Sequence, residues 1–446
     1  MPLPSQPDKA TRKYLAGHAE AEAKRFGRFP DDATRYGHGL VVPCYGEGDG
    51  IAATLSTIPP GRRGPVLTIT VVNACEDAPL WVHEANAKTL ERIRRDYGPP
   101  ELLAPGAFLY THPAGALLVI DRATRDFLPP GQGVGLARKI GADLLLALTA
   151  EGKIDSPWLH CSDADVNLPS DYFDQIDGPS AGSVAAWVYR FRHEKTADPR
   201  TNEAALQYEM SLRYYVLGLR FAASSYAFHT IGSTIALHAS AYAKVRGFPR
   251  RSAAEDFYLL NKLAKVGRVE SLSGMPVQLS SRASSRVPFG TGASIRRLLE
   301  MGTPELKIYD PAVFDHLRVW LRVVELAGQH CARKANLQIL VRDQAHRHPE
   351  VQAGRLIAAL ENIGALQAAE AALATSAGNA SRRLHDSFDG FRTLKLIHAL
   401  RAGGLADLPI REALARASFI SWPGLGSSPS TSQLAKRLEY LDYTPR

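Results

Sequence analysis

Two carboxylates one residue apart, Asp163 and Asp165 in Cys161-Ser162-Asp163-Ala164-Asp165, follow a short apolar stretch. Hard divalent cations such as Mg²⁺ and Mn²⁺ take oxygen ligands of this kind and can hold phosphate oxygens at the same time. A second acidic pair, Glu255-Asp256, lies about ninety residues further on and opens a helical pattern. A helix N-terminus favours negative charge, so that pair would also serve a purely structural end. Asp-x-Asp by itself likewise fits a solvated turn that caps the next helix. Their order behind a third segment, the strand and loop at residues 39–47, raises both above those ordinary roles.

Elements far apart in the chain have to bring these acids together. Gly39 to Pro43 reads as a short buried strand, followed by the loop Tyr45-Gly46-Glu47-Gly48-Asp49-Gly50. Val66 to Val72 is apolar and β-branched with little interruption, as expected inside a parallel sheet. Ala116 to Ile120 makes a third strand, and Trp158 to Cys161 leads into the acidic pair. Helices are expected over 8–27, 80–97 and 134–150. Strands alternating with helices imply a parallel α/β sheet. Ligands of such sheets sit at the carboxyl ends of the strands, where both the 45–50 loop and the Asp-x-Asp fall. Strands at 183–189, 233–238 and 277–280 then alternate with helices at 202–220 and 255–266. From about residue 300 only helical spacing remains, in 316–329, 350–374 and 391–401. A Gly/Ser/Pro-rich loop at 424–432 precedes a short last helix.

The 446 residues are 45% hydrophobic and 22% charged, an ordinary globular composition long enough for more than one domain. A net charge of +8 favours anionic partners such as nucleotides or phosphorylated acceptors. No nucleic-acid-binding signature accompanies it, so nucleic acid is not expected. Cys44, Cys75, Cys161 and Cys331 form no CxxC pair and are expected as reduced thiols of a cytoplasmic protein. The polar N-terminus lacks the apolar core of a signal peptide. With no run of eighteen apolar residues, no transmembrane span is expected.

Three segments together resemble the non-processive family 2 glycosyltransferases of the GT-A fold. Val41-Val42-Pro43-Cys44-Tyr45-Gly46-Glu47 is similar to their opening strand. Cys161-Ser162-Asp163-Ala164-Asp165, with Pro169 four positions on, is similar to their metal motif. Val245-Arg246-Gly247-Phe248 followed by Glu255-Asp256 is similar to their Gly-Gly-Phe and Glu-Asp segment. The resemblance spans about residues 37 to 290. It implies a Rossmann-like α/β domain with a mostly parallel mixed sheet over 37–295, an N-terminal helical extension over 1–36, and an all-helical region over 296–446. The processive synthases' Gln-x-x-Arg-Trp motif is missing.

The resemblance implies transfer of a sugar, in the hexosyltransferase class, from a nucleotide-diphosphate donor to an acceptor hydroxyl on a glycan, a lipid-linked or a small molecule. Asp163 and Asp165 would hold Mg²⁺ or Mn²⁺ on the diphosphate, with Asp163 near the ribose or the metal. Asp256 would act as general base in a one-step inverting transfer, with Glu255 on acceptor hydroxyls. Pro43, Tyr45 and Glu47 would line the nucleotide pocket. Asn73 stands where the family has an acid on the base, and an amide both donates and accepts there. Arg138, in a segment similar to the family's Ala-Arg-Asn helix, would reach the diphosphate or the base. Read from its own residues, the loop at 281–292, with Arg282 and Arg286 amid small polar residues and glycines, would form a lid over the diphosphate or a phosphorylated acceptor. Gly131-x-Gly133-x-Gly135 follows Pro129-Pro130 rather than a strand end, so it lacks the context of a dinucleotide loop. The C-terminal helices would shape the acceptor site, pair two copies as a homodimer, or dock on the inner membrane face. The rivals are a sugar-phosphate nucleotidyltransferase, whose basic activation motif is missing after the first strand, and a non-catalytic scaffold.

Overall fold

The computed structural model describes residues 7–25, 34–176, 183–284, 286, 290–302, 305–329, 336–374, 377–423 and 429–444; Cys331 and most of the 424–432 loop lie outside them. The chain divides into two compact units, residues 1–195 with 230–293, and residues 196–229 with 294–446. This division differs from the expected one in two places. The N-terminal helices belong to the first unit, and residues 196–229 join the C-terminal one. The helix Pro199–Phe221 buries Met210, Tyr214 and Leu217 in the core of the helical unit, which explains the second difference.

The strands of the first unit are, in chain order, β1 His38–Cys44, β2 Val66–Asn73, β3 Glu101–Ala104, β4 Ala107–His112, β5 Gly115–Arg122, β6 Trp158–Cys161, β7 Val166–Asn167, β8 Val184–Val188, β9 Phe191–His193, β10 Ile235–His238, β11 Arg268–Ser271 and β12 Val277–Leu279. Nine of them form one sheet in the order β11-β8-β10-β6-β1-β2-β5-β4-β3. Its centre, β6-β1-β2-β5, is parallel, with Val41 opposite both Ile69 and Cys161. Every residue of β1 and β2 is buried, which is why these strands read as unbroken runs rather than alternating ones. The α/β architecture expected from the sequence is present: a mixed sheet flanked by helices, with a helical C-terminal region.

Toward the edges the direction changes. β10 is antiparallel to both β6 and β8, and β3-β4-β5 form an antiparallel meander that turns at Pro105-Gly106. A separate small sheet, β7-β12-β9, pairs Leu279 with Val166 in antiparallel register.

The second unit gathers Phe314, Leu317 and Trp320 of the helix Ala312–Gln329 into one core with Leu356, Leu360, Leu396 and Leu438. The stretch of helical spacing over 350–374 forms two helices, Ala353–Asn362 and Ala365–Leu373, bent by 82° where Gly364 takes a positive φ. Among the described residues no single helix is long and apolar enough to cross a membrane.

Candidate active site

The site lies at the carboxyl ends of the central parallel strands of the first unit. The chain leaves β1 into Tyr45 to Glu47 and leaves β6 into Ser162 to Asp165. The Ser162 amide still donates to the Val41 carbonyl at 2.9 Å, so the two exits start side by side. Asp165 immediately precedes β7 and Arg282 follows β12. The antiparallel pairing of Leu279 with Val166 therefore brings them together, and Arg282 Nη2 meets Asp165 Oδ2 at 2.8 Å.

Arg282 also reaches Glu47, donating from Nη2 to Oε1 at 2.9 Å and to Oε2 at 2.8 Å. Arg286 pairs with the same carboxylate and donates from Nη2 to the Gly46 carbonyl at 2.6 Å. The Glu47 side chain is thus gripped by two guanidiniums. Burial pushes the Asp165 carboxyl up to about 6, with Arg282 pulling it down and Asp163 and Glu47 adding to the rise.

Arg138 makes the second cluster. It projects from the helix Gly133–Ala150, which lies against β1 and β2. Its guanidinium is buried and joins two distant acids, Asp163 through Nη2 and Glu255 through Nε at 3.1 Å. Nη1 is buried with no partner among the described residues. Two glycines permit this placement. A Cβ on Gly232 would lie 2.7 Å from the guanidinium, and one on Gly135 would lie 2.5 Å from the Pro249 carbonyl oxygen. The run of glycines at 131–135 thus serves close packing against residues 249–252 at its end.

Glu255 and Asp256 open the helix Glu255–Leu263, behind Ala254 at a left-handed φ of 59°. Burial raises the pKa of both carboxyls, and Arg138 works against it on each. Asp256 Oδ1 accepts from the Phe257 amide at 2.7 Å.

The other expected contacts divide. Pro43 is buried within β1. Tyr45 is half-buried and meets Trp81 edge-on, ring centroids 6.5 Å apart. Asn73 is buried, and its amide nitrogen donates to the Cys44 and Val71 carbonyls at 2.9 and 3.1 Å. Its amino group is engaged in joining the ends of β1 and β2, which leaves the amide oxygen for any other contact. Sequence reasoning passed over Asn86. It is fully buried on the helix Leu80–Tyr97, accepts from the Gly46 amide at 2.8 Å and donates to the Asn73 carbonyl at 2.9 Å. An amide on the buried face of an amphipathic helix was the available signal. Burial raises the pKa of Cys44, Cys75 and Cys161, which keeps them as neutral thiols.

Among the described residues no group of three or more His, Cys, Asp or Glu is placed to share a metal ion. The site nevertheless suits a hard cation that brings its own phosphate and water ligands, since Mg²⁺ is commonly held by only one or two carboxylates. Asp163 and Asp165 are each a third exposed, 37% and 31% at the side chain, and each has one oxygen engaged by an arginine. Five carboxyls, of Glu47, Asp163, Asp165, Glu255 and Asp256, face three guanidiniums, so the cluster has acid to spare for a cation.

No family model and no curated protein matches the sequence. Among solved structures, the chain is similar to a mannosyltransferase, PcManGT from Pyrobaculum calidifontis, in complex with GDP-Man and Mn²⁺. The identity is 19% and the TM-score 0.35, over 86% of this chain and 94% of that one. It is also similar to residues 1–349 of S. aureus TarS in complex with UDP-GlcNAc, at 13% identity and a TM-score of 0.34, over 86% and 91%.

Proposed function

We propose that the first unit is a GT-A glycosyltransferase domain that moves a sugar from a nucleotide-diphosphate donor to an acceptor hydroxyl. The observation that carries this is the buried Arg138, which ties Asp163 of the Asp-x-Asp to Glu255 of the Glu-Asp pair. Residues about ninety apart in sequence thus form one charged cluster at the carboxyl edge of a parallel sheet, where nucleotides bind such sheets.

Each residue then has a task. Asp256 takes the proton of the acceptor hydroxyl as its oxygen attacks the anomeric carbon; the bond from that carbon to the diphosphate breaks, with inversion. Asp163 and Asp165 hold Mg²⁺ or Mn²⁺, which when bound neutralises charge on the leaving diphosphate. Arg282 and Arg286 exchange Glu47 for the diphosphate, whose oxygens match the guanidinium fork. Arg138 holds Asp163 and Glu255 in place. Tyr45 offers its ring to the nucleoside.

The test is calorimetric titration of UDP, GDP, CDP and dTDP, with and without Mn²⁺, into the wild type and Asp165→Ala. Tight binding of one nucleotide that needs both Mn²⁺ and Asp165 is expected. Failure of all four to bind would refute the donor site.

A further inference from the structure

The helical unit holds a cavity of about 620 Å³ that sugar transfer leaves without a role. The turn at 222–226 and the helices Ala312–Gln329, Leu337–His346 and Ala377–Ser387 contribute to its walls. The volume falls within the roughly 300–1,000 Å³ of small-molecule sites.

Part of the lining is cationic. Arg318, Arg322 and Arg347 contribute guanidiniums, and His385 an imidazole. Arg322 is paired with Glu325 at 2.6 Å. Arg318 lies over the Phe221 ring at 4.8 Å and near the Asp315 carboxyl, whose pKa it pulls down against burial; among the described residues neither it nor Arg347 forms an ion pair. His385 Nε2 is 2.6 Å from the Ser225 hydroxyl. Another part is aromatic, from Tyr226 and Phe388. Tyr226 is only 6% exposed, and its ring stacks with that of His385 at 6.2 Å.

The Tyr226 hydroxyl is the telling atom. It is buried and has no hydrogen-bond partner among the described residues. Leaving such a group unsatisfied forfeits its hydrogen bond to water, and native folds rarely do so without a reason. Burial, with Asp389 and Asp386 nearby, raises the phenol pKa, so it stays protonated and able to donate.

We infer that this cavity binds a small ring-bearing organic phosphate. Its phosphate meets Arg318 and Arg347, its ring lies against Tyr226 and Phe388, and an acceptor atom on the ring takes the Tyr226 hydrogen bond. Phosphate suits the wall because two guanidiniums and a serine hydroxyl offer more donors than a carboxylate's two oxygens use well. The inference is independent of the donor-site reading, since none of these residues belongs to the first unit.

Calorimetry on the full chain tests it, with 4-nitrophenyl phosphate as probe, inorganic phosphate as the ringless control and nitrobenzene as the uncharged one. The probe is expected to bind more tightly than either control. Arg318→Gln and Arg347→Gln are each expected to weaken it about tenfold, and Tyr226→Phe severalfold. Both arginines are exposed and Tyr226→Phe keeps the ring, so these variants fold. Asp165→Ala, in the other unit, leaves binding unchanged. The inference is overturned if the probe does not bind, if either control binds equally well, if both arginine variants bind like the wild type, or if only Asp165→Ala abolishes binding.

Discussion

Asp256 differs from Glu255 in what its carboxylate touches. Arg138 engages Glu255, whereas among the described residues no arginine pairs with Asp256, which accepts from the backbone amides of Phe257 and Gly232. A base needs an accessible oxygen and a pKa raised toward working pH, and burial raises that of Asp256. Asp256→Asn is therefore expected to slow sugar transfer by about 10²–10⁴-fold, the usual contribution of a general base, while donor affinity stays within severalfold. Steady-state kinetics beside calorimetry reads both. Loss of donor binding in step with activity would instead make Asp256 a positioning group. At this scale the residue types and their spacing were legible, and the fold brings Asp163, Asp165, Glu255, Arg138, Arg282, Arg286 and Glu47 into ion pairs. Asn73 shows the limit, because which carbonyls its amide meets depends on a strand neighbour the sequence does not name.

At the scale of elements, the helix Gly133–Ala150 positions Arg138, and Gly135 lets its first turn touch the segment at 249–251. The Gly135 amide donates to the Arg251 carbonyl at 2.9 Å. A Cβ there would stand 2.5 Å from the Pro249 carbonyl oxygen, closer than such atoms approach, so backbone must move. Gly135→Ala is expected to cost about 1–3 kcal/mol, the usual range for overpacking. It is also expected to weaken Mn²⁺-dependent nucleotide binding by displacing Arg138. Thermal unfolding and calorimetry on the same preparation check the two effects; unchanged binding in a destabilised variant would uncouple the helix from the site. Helix and strand positions were readable here from period and composition, as for Leu80–Tyr97, expected at 80–97 and found there. The hairpin β3-β4 was missed although Pro105-Gly106 marks its turn, because its strands are short and half exposed.

Across the whole chain, the helical unit is closed by an ion cluster that joins residues more than two hundred apart. Asp442 on the last helix, Thr431–Tyr443, meets Arg213 Nη1 at 3.0 Å and His229 Nε2 at 2.7 Å, and also pairs with Arg220. Glu209 completes the pairing of Arg213 at 2.8 Å. Burial alone would raise the Asp442 carboxyl, but His229, Arg213 and Arg220 outweigh it and hold its pKa below the usual carboxylate range. A carboxyl depressed on folding adds stability above its unfolded pKa and loses it as pH falls through the folded one. Asp442→Asn is therefore expected to destabilise the unit near neutral pH by about 3–5 kcal/mol, as uncompensated buried charge does. Its penalty should shrink below pH 4. Urea unfolding midpoints between pH 7 and pH 3 measure this; a penalty constant with pH would refute the ionic account.

The candidate acids and the α/β order were readable from sequence alone, because carboxylate spacing, β-branched runs and helical period are local properties that survive in one dimension. The sequence also separated a helical C-terminal region, since a change of period needs no partner to be seen. Tertiary structure decided everything that depends on neighbours. β10 runs antiparallel between β6 and β8, and a buried apolar strand reads alike in either direction. Residues 196–229 pack with the C-terminal unit because Tyr214 and Tyr215 meet Phe314, which lies about a hundred residues away. Arg138 bridges Asp163 and Glu255 because Gly135 and Gly232 leave room for it, and room is a property of three-dimensional packing alone.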